Sequence, residues 1–280
     1  MSNSKPAPER AARTVRIAAI GDLHIQTHIP EHLHRDLAAL RGAVDVLVLA
    51  GDLTEGGRIP EVELVAAMLA TVDVPMVAVL GNHDRRGLRR AVMRRTYEAS
   101  GVRLLDGDML RLDVPGGPAI GFAGVSGTGG GFWPDESPRV PGARFSQAIA
   151  VKSRREAARL HAALDSLEAH DVDAMIVLMH FAPTVSTLGA EPPMKYWMLG
   201  NSQLGRVVDA HPVDLVLHGH AHLGNEFGRT PGGTPVRNVA AQVTGGIAIY
   251  EVARGRQVRT ITPAPVGAHP DRMDLVRPRD

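Results

Sequence analysis

Three short apolar runs, VRIAAI (15–20), VDVLVLA (44–50) and MVAVL (76–80), each stop at a glycine followed by Asp or Asn. Each is too short for a stable helix and rich in β-branched residues. Each is apolar at consecutive positions, the pattern of a strand covered on both faces. The stretches between them are helical in pattern. Leu33, Leu37 and Leu40 form a stripe within 31–41. Pro60 opens a second helix, reaching about Thr71, with Glu61 and Glu63 in its first turn. A basic helix over about 88–98 follows the third run. Successive strand–loop–helix units predict a mostly parallel sheet, and ligands in such sheets collect beyond the carboxyl ends of the strands.

Past residue 100 the style changes. Leu104-Leu105, Asp108–Val114 and Ala119–Val125 read as strands separated by Asp-Gly and Gly-Gly turns, an antiparallel arrangement. A long Gly/Pro loop covers 124–144, a helix runs from about Ser146 to His170, and Ala174–Met179 is a strand ending at His180. A second loop (185–200), a helix (202–210) and a strand (213–217) lead into Gly219-His220-Ala221-His222. Short strands near 236–240, 246–252 and 257–262 close the pattern. Residues 1–14 and 263–280 read as tails around one unit spanning 15–262.

Composition removes several chemistries. With no cysteine, disulfides, thiolate zinc sites, iron–sulfur ligation and cysteine nucleophiles are all excluded, which fits a cytoplasmic protein. Lys and Arg number 31 against 30 Asp and Glu, so no overall field favours nucleic acid or a membrane surface. Neither a secretory leader nor a membrane-spanning helix is expected from the apolar pattern.

The chemistry sits in five pieces: Asp22-Leu23-His24, Gly51-Asp52, Gly81-Asn82-His83-Asp84, His180, and Gly219-His220-Ala221-His222. Taken alone, Asp22 and Asp52 read as turn carboxylates and His180 as a core histidine. All five follow predicted strands, however, and so converge on one rim. The donors are carboxylate oxygen, imidazole nitrogen and one amide oxygen, a set suited to Mn, Fe, Zn or Co. Seven donors exceed one tetrahedral ion and suit two ions sharing a carboxylate.

In order and spelling, these pieces resemble the five blocks of the calcineurin-like metallophosphoesterase family (D-x-H, G-D, G-N-H-D/E, H, G-H-x-H), spanning Asp22 to His222. The resemblance implies an α/β fold of four layers, an αββα sandwich with two mixed sheets flanked by helices. It also implies two divalent or trivalent metals. Asp22, His24 and His222 would hold one, Asn82, His180 and His220 the other, with Asp52 bridging. His83 would be catalytic, and Asp84 beside it would orient the imidazole. Two doubly charged ions, two carboxylates and a bridging hydroxide leave one positive charge, which favours an anionic phosphoester over a neutral amide. The implied activity is phosphoester hydrolysis by attack of the bridging hydroxide. The spelling is nearest to bacterial phosphodiesterases, including the cyclic-nucleotide type, with a small phosphodiester or nucleotide as substrate. A phosphomonoesterase or protein phosphatase would use the same site, as would a nuclease or a lipid-pyrophosphate hydrolase. A scaffold without catalysis is the non-enzymatic alternative.

Other residues are less constrained. His218 is a direct ligand only if the strand continues through Gly219; otherwise it braces the ligands. His28 either lines the pocket or faces solvent. His32, His34, His161, His170, His211 and His269 read as surface residues. Arg85 or Arg86 would reach a phosphate oxygen, or the arginines from Arg85 to Arg95 form a solvated helix face. Phe132-Trp133 and Tyr196-Trp197 either stack on a base, plug the loops or make a dimer contact.

Overall fold

The computed structural model describes residues 13–87, 89–134, 143–253 and 257–261. The residues expected to form tails therefore lie almost wholly outside the described ones, as does 135–142 of the first long loop. In chain order the elements are β1 (Val15–Ile20), α1 (Glu31–Ala38), β2 (Val46–Ala50), α2 (Ile59–Leu69), β3 (Met76–Val79), α3 (Arg90–Ala99), β4 (Val102–Leu104), β5 (Asp108–Asp113) and β6 (Ala119–Val125). They continue with α4 (Ala143–Glu168), β7 (Ala174–Met179), α5 (Tyr196–Leu199), α6 (Ser202–Asp209), β8 (Leu215–His218), β9 (Phe227–Arg229), β10 (Pro235–Asn238), α7 (Ala241–Thr244), β11 (Ala248–Ala253) and β12 (Gln257–Ile261).

The strands form two six-stranded sheets, ordered β12-β11-β1-β2-β3-β4 and β5-β6-β7-β8-β10-β9. Alternation of side chains explains the continuous apolar runs. On β1 and β2, Ala18, Ile20, Leu47 and Leu49 pack under helices with Leu33, Val62, Val65 and Met93. Their neighbours Ile17, Ala19, Val46 and Val48 face the second sheet and meet Phe122, Ile176, Leu178 and Leu217. The far face of that sheet, with Val177, Met179 and Val216, packs on Leu160, Leu164, Leu167 and Leu204. Three apolar layers thus separate four structural layers, and every central strand is covered on both faces.

The second half keeps the expected antiparallel pairs but adds a parallel middle. β5 pairs antiparallel with β6, β9 with β10, and β11 with both β12 and β1, whereas β6, β7 and β8 run parallel and β10 runs parallel to β8. The reason is topological. α4 joins β6 to β7, and α5 with α6 joins β7 to β8, and a helical crossover returns the chain to the same end of the sheet. Leu104 ends β4, which extends the first sheet beside β3. The short β9 and α7 carry no apolar periodicity long enough to read from sequence.

Turn chemistry places the loop after β2. The Glu61 carboxylate accepts from the Gly56 and Arg58 amides at 2.8 and 3.3 Å, closing the first turn of α2. Among the described residues, no helix is long and apolar enough to cross a membrane.

Candidate metal centre

β1, β2 and β3 of one sheet and β7 and β8 of the other end at the same rim. Their C-terminal residues carry all five chemical pieces. Backbone conformation there is unusual. Among the described residues, the non-glycine positions with positive φ are Asp22 (58°), His24 (47°), Asp52 (50°) and His220 (71°). The left-handed region is costly for residues with a Cβ, and such strain gathers at functional sites. The adjoining glycines are required by close approach. A Cβ on Gly81 would run into the Asp52 carboxylate, and one on Gly219 into that of Asp22.

Two clusters result. One ligand atom from each of Asp22, His24 and His222 lies within 4.8 Å of the others, and the same holds for Asp52, His180 and His220. Both carboxylates are fully buried, at 0 and 1% exposure. His222 Nε2 is 2.9 Å from Asp22 Oδ1, and the His220 amide donates to Asp22 Oδ2 at 2.9 Å. His180 Nε2 lies 3.2 Å from Asp52 Oδ2 and 3.0 Å from Asn82 Oδ1. Its Nδ1–H donates to the Ala50 carbonyl at 2.9 Å, which fixes the ring and turns Nε2 toward the rim. His24 Nε2 is the telling atom. It is buried, has no hydrogen-bond partner among the described residues, and lies 3.9 Å from Asp22 Oδ1 and 3.8 Å from Asp52 Oδ2. A buried nitrogen lone pair aimed between two buried carboxylates suits a cation far better than a void.

Electrostatics follow from this packing. Burial works against the charged form of Asp52, but the His180 charge outweighs it and holds the carboxyl well below the usual range. Conversely, burial lowers His180, and Asp52 more than offsets that, raising the imidazole to about 9. His218 is buried on β8 and pushed down to about 4 by desolvation. Its Nδ1–H donates to the Gly219 carbonyl and its Nε2 accepts from Thr187 Oγ1 at 2.9 Å, so it braces the last block. His28 is exposed.

Asp84 is not where sequence adjacency put it. The chain turns tightly at Asp84–Arg86 and buries this carboxylate completely. It accepts from the Thr54 amide and hydroxyl at 2.9 and 2.8 Å and from the Gly81 and Leu53 amides at 2.9 and 3.3 Å. Burial, then the Asp52 charge, raise its pKa. It therefore pins the two loops together and does not orient the His83 imidazole. That place is taken by a residue the motif reading missed. Glu55 accepts from His24 Nδ1 at 2.7 Å, its backbone carbonyl lies 2.8 Å from His83 Nδ1, and its carboxylate lies 3.2 Å from the same nitrogen. The only sequence signal was an acidic residue three positions past Asp52. His83 stands edge-on to His24, with ring centroids 4.5 Å apart, and its amide donates to Asp52 at 2.8 Å.

Of the flanking arginines, Arg85 is bound to Asp106 at 2.8 Å, whereas Arg86 Nη2 lies 2.9 Å from His83 Nε2 at the mouth. Phe132 is buried with Leu188, Leu199 and Ala221, edge-on to Tyr196, so it is a plug between the two loops. Trp133 is 77% exposed.

A two-sheet α/β sandwich with clustered carboxylates and imidazoles at the strand ends defines a metal-centred hydrolase. The family model for calcineurin-like phosphoesterases matches residues 15–224, and the chain belongs to that family of phosphoester hydrolases. Its members typically hold two transition-metal ions, and the His/Asp clusters here have the donor chemistry for them. No curated protein sequence matches the chain. Similar solved structures include a phosphopantetheinyl hydrolase from Mycobacterium tuberculosis, with 16% identity, TM-score 0.57, and coverage of 92% of this chain and all of that one. A putative 5'-nucleotidase from Staphylococcus aureus has 14% identity and TM-score 0.59, over 94% of this chain and 57% of that one. A purple acid phosphatase from yellow lupin has 14% identity and TM-score 0.50, over 88% of this chain and 50% of that one. At these identities they establish the shared fold.

Proposed function

We propose that the chain is a phosphodiesterase acting on a small phosphodiester or nucleotide. Asp22, His24 and His222 would hold one ion, Asn82, His180 and His220 a second, and Asp52 both. The carrying observation is the pair of adjacent clusters with His24 Nε2 buried and unpartnered between Asp22 and Asp52. When bound, such ions supply Lewis acidity for the attacking water and for the phosphoryl oxygens. The chain supplies the rest. The backbone at Asp22, Asp52 and His220 prepays the strain of aiming donors inward. Glu55 fixes the rings of His24 and His83 through their Nδ1 atoms. His83 Nε2, at the mouth, accepts from Arg86 Nη2 in the free chain; released from that contact and protonated, it is the atom that would give a proton to the leaving oxygen. Arg86 lies beside it, where a non-bridging oxygen would be met. Arg85 is tied to Asp106 at 2.8 Å, whereas Arg86 is held at the mouth by His83 and by a longer 3.4 Å contact with Glu55, from which it would turn to the phosphoryl group; one guanidinium suits the single charge of a diester. The cysteine-free composition fits a reducing compartment such as the cytoplasm.

The test is a panel of mono-, di- and cyclic phosphates with Mn2+ added. A higher kcat/KM for diesters than for monoesters is expected. The reverse order would replace this reading with a phosphomonoesterase at the same site.

Glu55→Gln gives a second expected result. Metal content should stay unchanged, while kcat falls by about 10–100-fold, the usual cost of losing a partner that orients a working imidazole. Loss of bound metal with unaltered kcat per loaded centre would instead limit Glu55 to holding His24.

A further inference from the structure

A second group of metal-type donors lies on the outer layer, away from the rim. His161 and Asp165 are one helical turn apart on α4, and His211 follows the C-terminus of α6. One ring nitrogen of each histidine and one Asp165 oxygen fall within 4.8 Å of one another. His161 Nδ1 is 2.7 Å from His211 Nε2, and Asp165 oxygens lie 3.7 Å from His161 Nε2 and 4.0 Å from His211 Nε2. Ligand atoms around an ion bound at about 2.0–2.1 Å stand about 3–4 Å apart, so small rotations of exposed side chains complete a site.

The surrounding structure is built for ligation. His211 was expected at the surface, yet its side chain is only 5% exposed. It lies beneath His161, with ring centroids 4.8 Å apart. Glu168, also on α4, lies 2.6 Å from His211 Nδ1. A carboxylate accepting the Nδ1 hydrogen bond leaves the Nε2 lone pair facing His161, the arrangement that supports a histidine ligand. In the metal-free chain, a proton must lie between the two facing nitrogens. A cation would take its place, and the His161 proton would move to Nε2, on the side of Asp165. His161 and Asp165 are 55 and 58% exposed, which leaves an entry path.

We propose that His161, Asp165 and His211 form a third, separate site for a divalent transition ion, Zn2+ first, with Glu168 as the partner behind His211. Two imidazoles and a carboxylate favour that class over Mg2+ or Ca2+. The site would clip α4 to α6. It lies at the opposite end of the sheet from the proposed centre, since His211 precedes β8 and His220 follows it, and the strand's four residues span about 13 Å.

The test uses the full chain, with Zn2+ content measured after equilibrium dialysis at fixed free Zn2+. His161→Gln and Asp165→Asn, both at exposed positions, should each bind one Zn2+ fewer per chain than the wild type and keep its phosphoesterase activity. Glu168→Gln should retain the ion with affinity lowered about 10–100-fold. Added Zn2+ should raise the Tm of the wild type more than that of His161→Gln. Equal Zn2+ content and equal Tm response in all four proteins would overturn the proposal and leave a hydrogen-bonded clip. The comparison is independent of the rim reading, because a failure there removes the same number of ions from wild type and variants alike.

Discussion

His83→Ala is expected to lower turnover of a phosphodiester by about 10²–10⁴-fold, the usual contribution of a positioned acid or base, while bound metal stays at the wild-type level. The geometry separates the two effects. His83 presents Nε2 to the mouth and Nδ1 to Glu55, and neither nitrogen is directed at Asp22 or Asp52. Its backbone amide, which survives the substitution, makes the contact with Asp52 at 2.8 Å. The loss should be largest for an alkyl leaving group, which needs a proton, and smaller for a nitrophenolate, which hardly does. Metal content measured beside kcat for both substrates checks this. Departure of metal from His83→Ala would move this residue into the ligand set.

Asp52→Asn should have the larger effect. Asp52 faces both clusters, with Oδ2 3.2 Å from His180 and 3.8 Å from His24, and it is 1% exposed. Asparagine keeps the shape and an acceptor for the His83 amide but removes the charge. Fewer than two ions per chain should remain at the rim, and turnover should fall well beyond the about 100-fold ceiling typical of residues that only orient a ligand. Thermal response gives a second readout. Ions that bind only the folded chain at about 1,000 times their Kd stabilise it by about 4 kcal/mol, so chelation should lower the wild-type Tm sharply and that of Asp52→Asn much less. A variant that kept both ions and full metal-dependent stabilisation would show that Asp52 does not join them.

Much of this was legible along the chain, for a local reason. A strand buried on both faces must be apolar at nearly every position, so Val15–Ile20 (with Arg16 alone exposed), Val46–Ala50 and Ala174–Met179 announce themselves. A donor aimed inward from a strand end needs a tight turn, so glycine sits before Asp52, Asn82 and His220. Neighbours in sequence misled where the backbone turned. Asp84 follows His83 directly, yet the turn carries its carboxylate inward to the Thr54 and Gly81 amides. Glu55 had no periodicity or motif to mark it, because its partners His24 and His83 lie 31 and 28 residues away. His211 looked like a surface residue because its cover, His161, is 50 residues distant.

By itself, then, the sequence determined the buried strands with their helical crossovers, the order of the strand-end blocks and the donor chemistry, all of which depend on residue type and short spacing, while the αββα layering was implied by the family resemblance those blocks carry. Only the tertiary structure decided which donors meet. Asp22 faces His222 across 200 residues, His180 faces Asn82 across 98, and the two members of each pair come from different sheets. Their distances depend on how two twisted sheets pack through a shared apolar layer, and that is a property of the whole core.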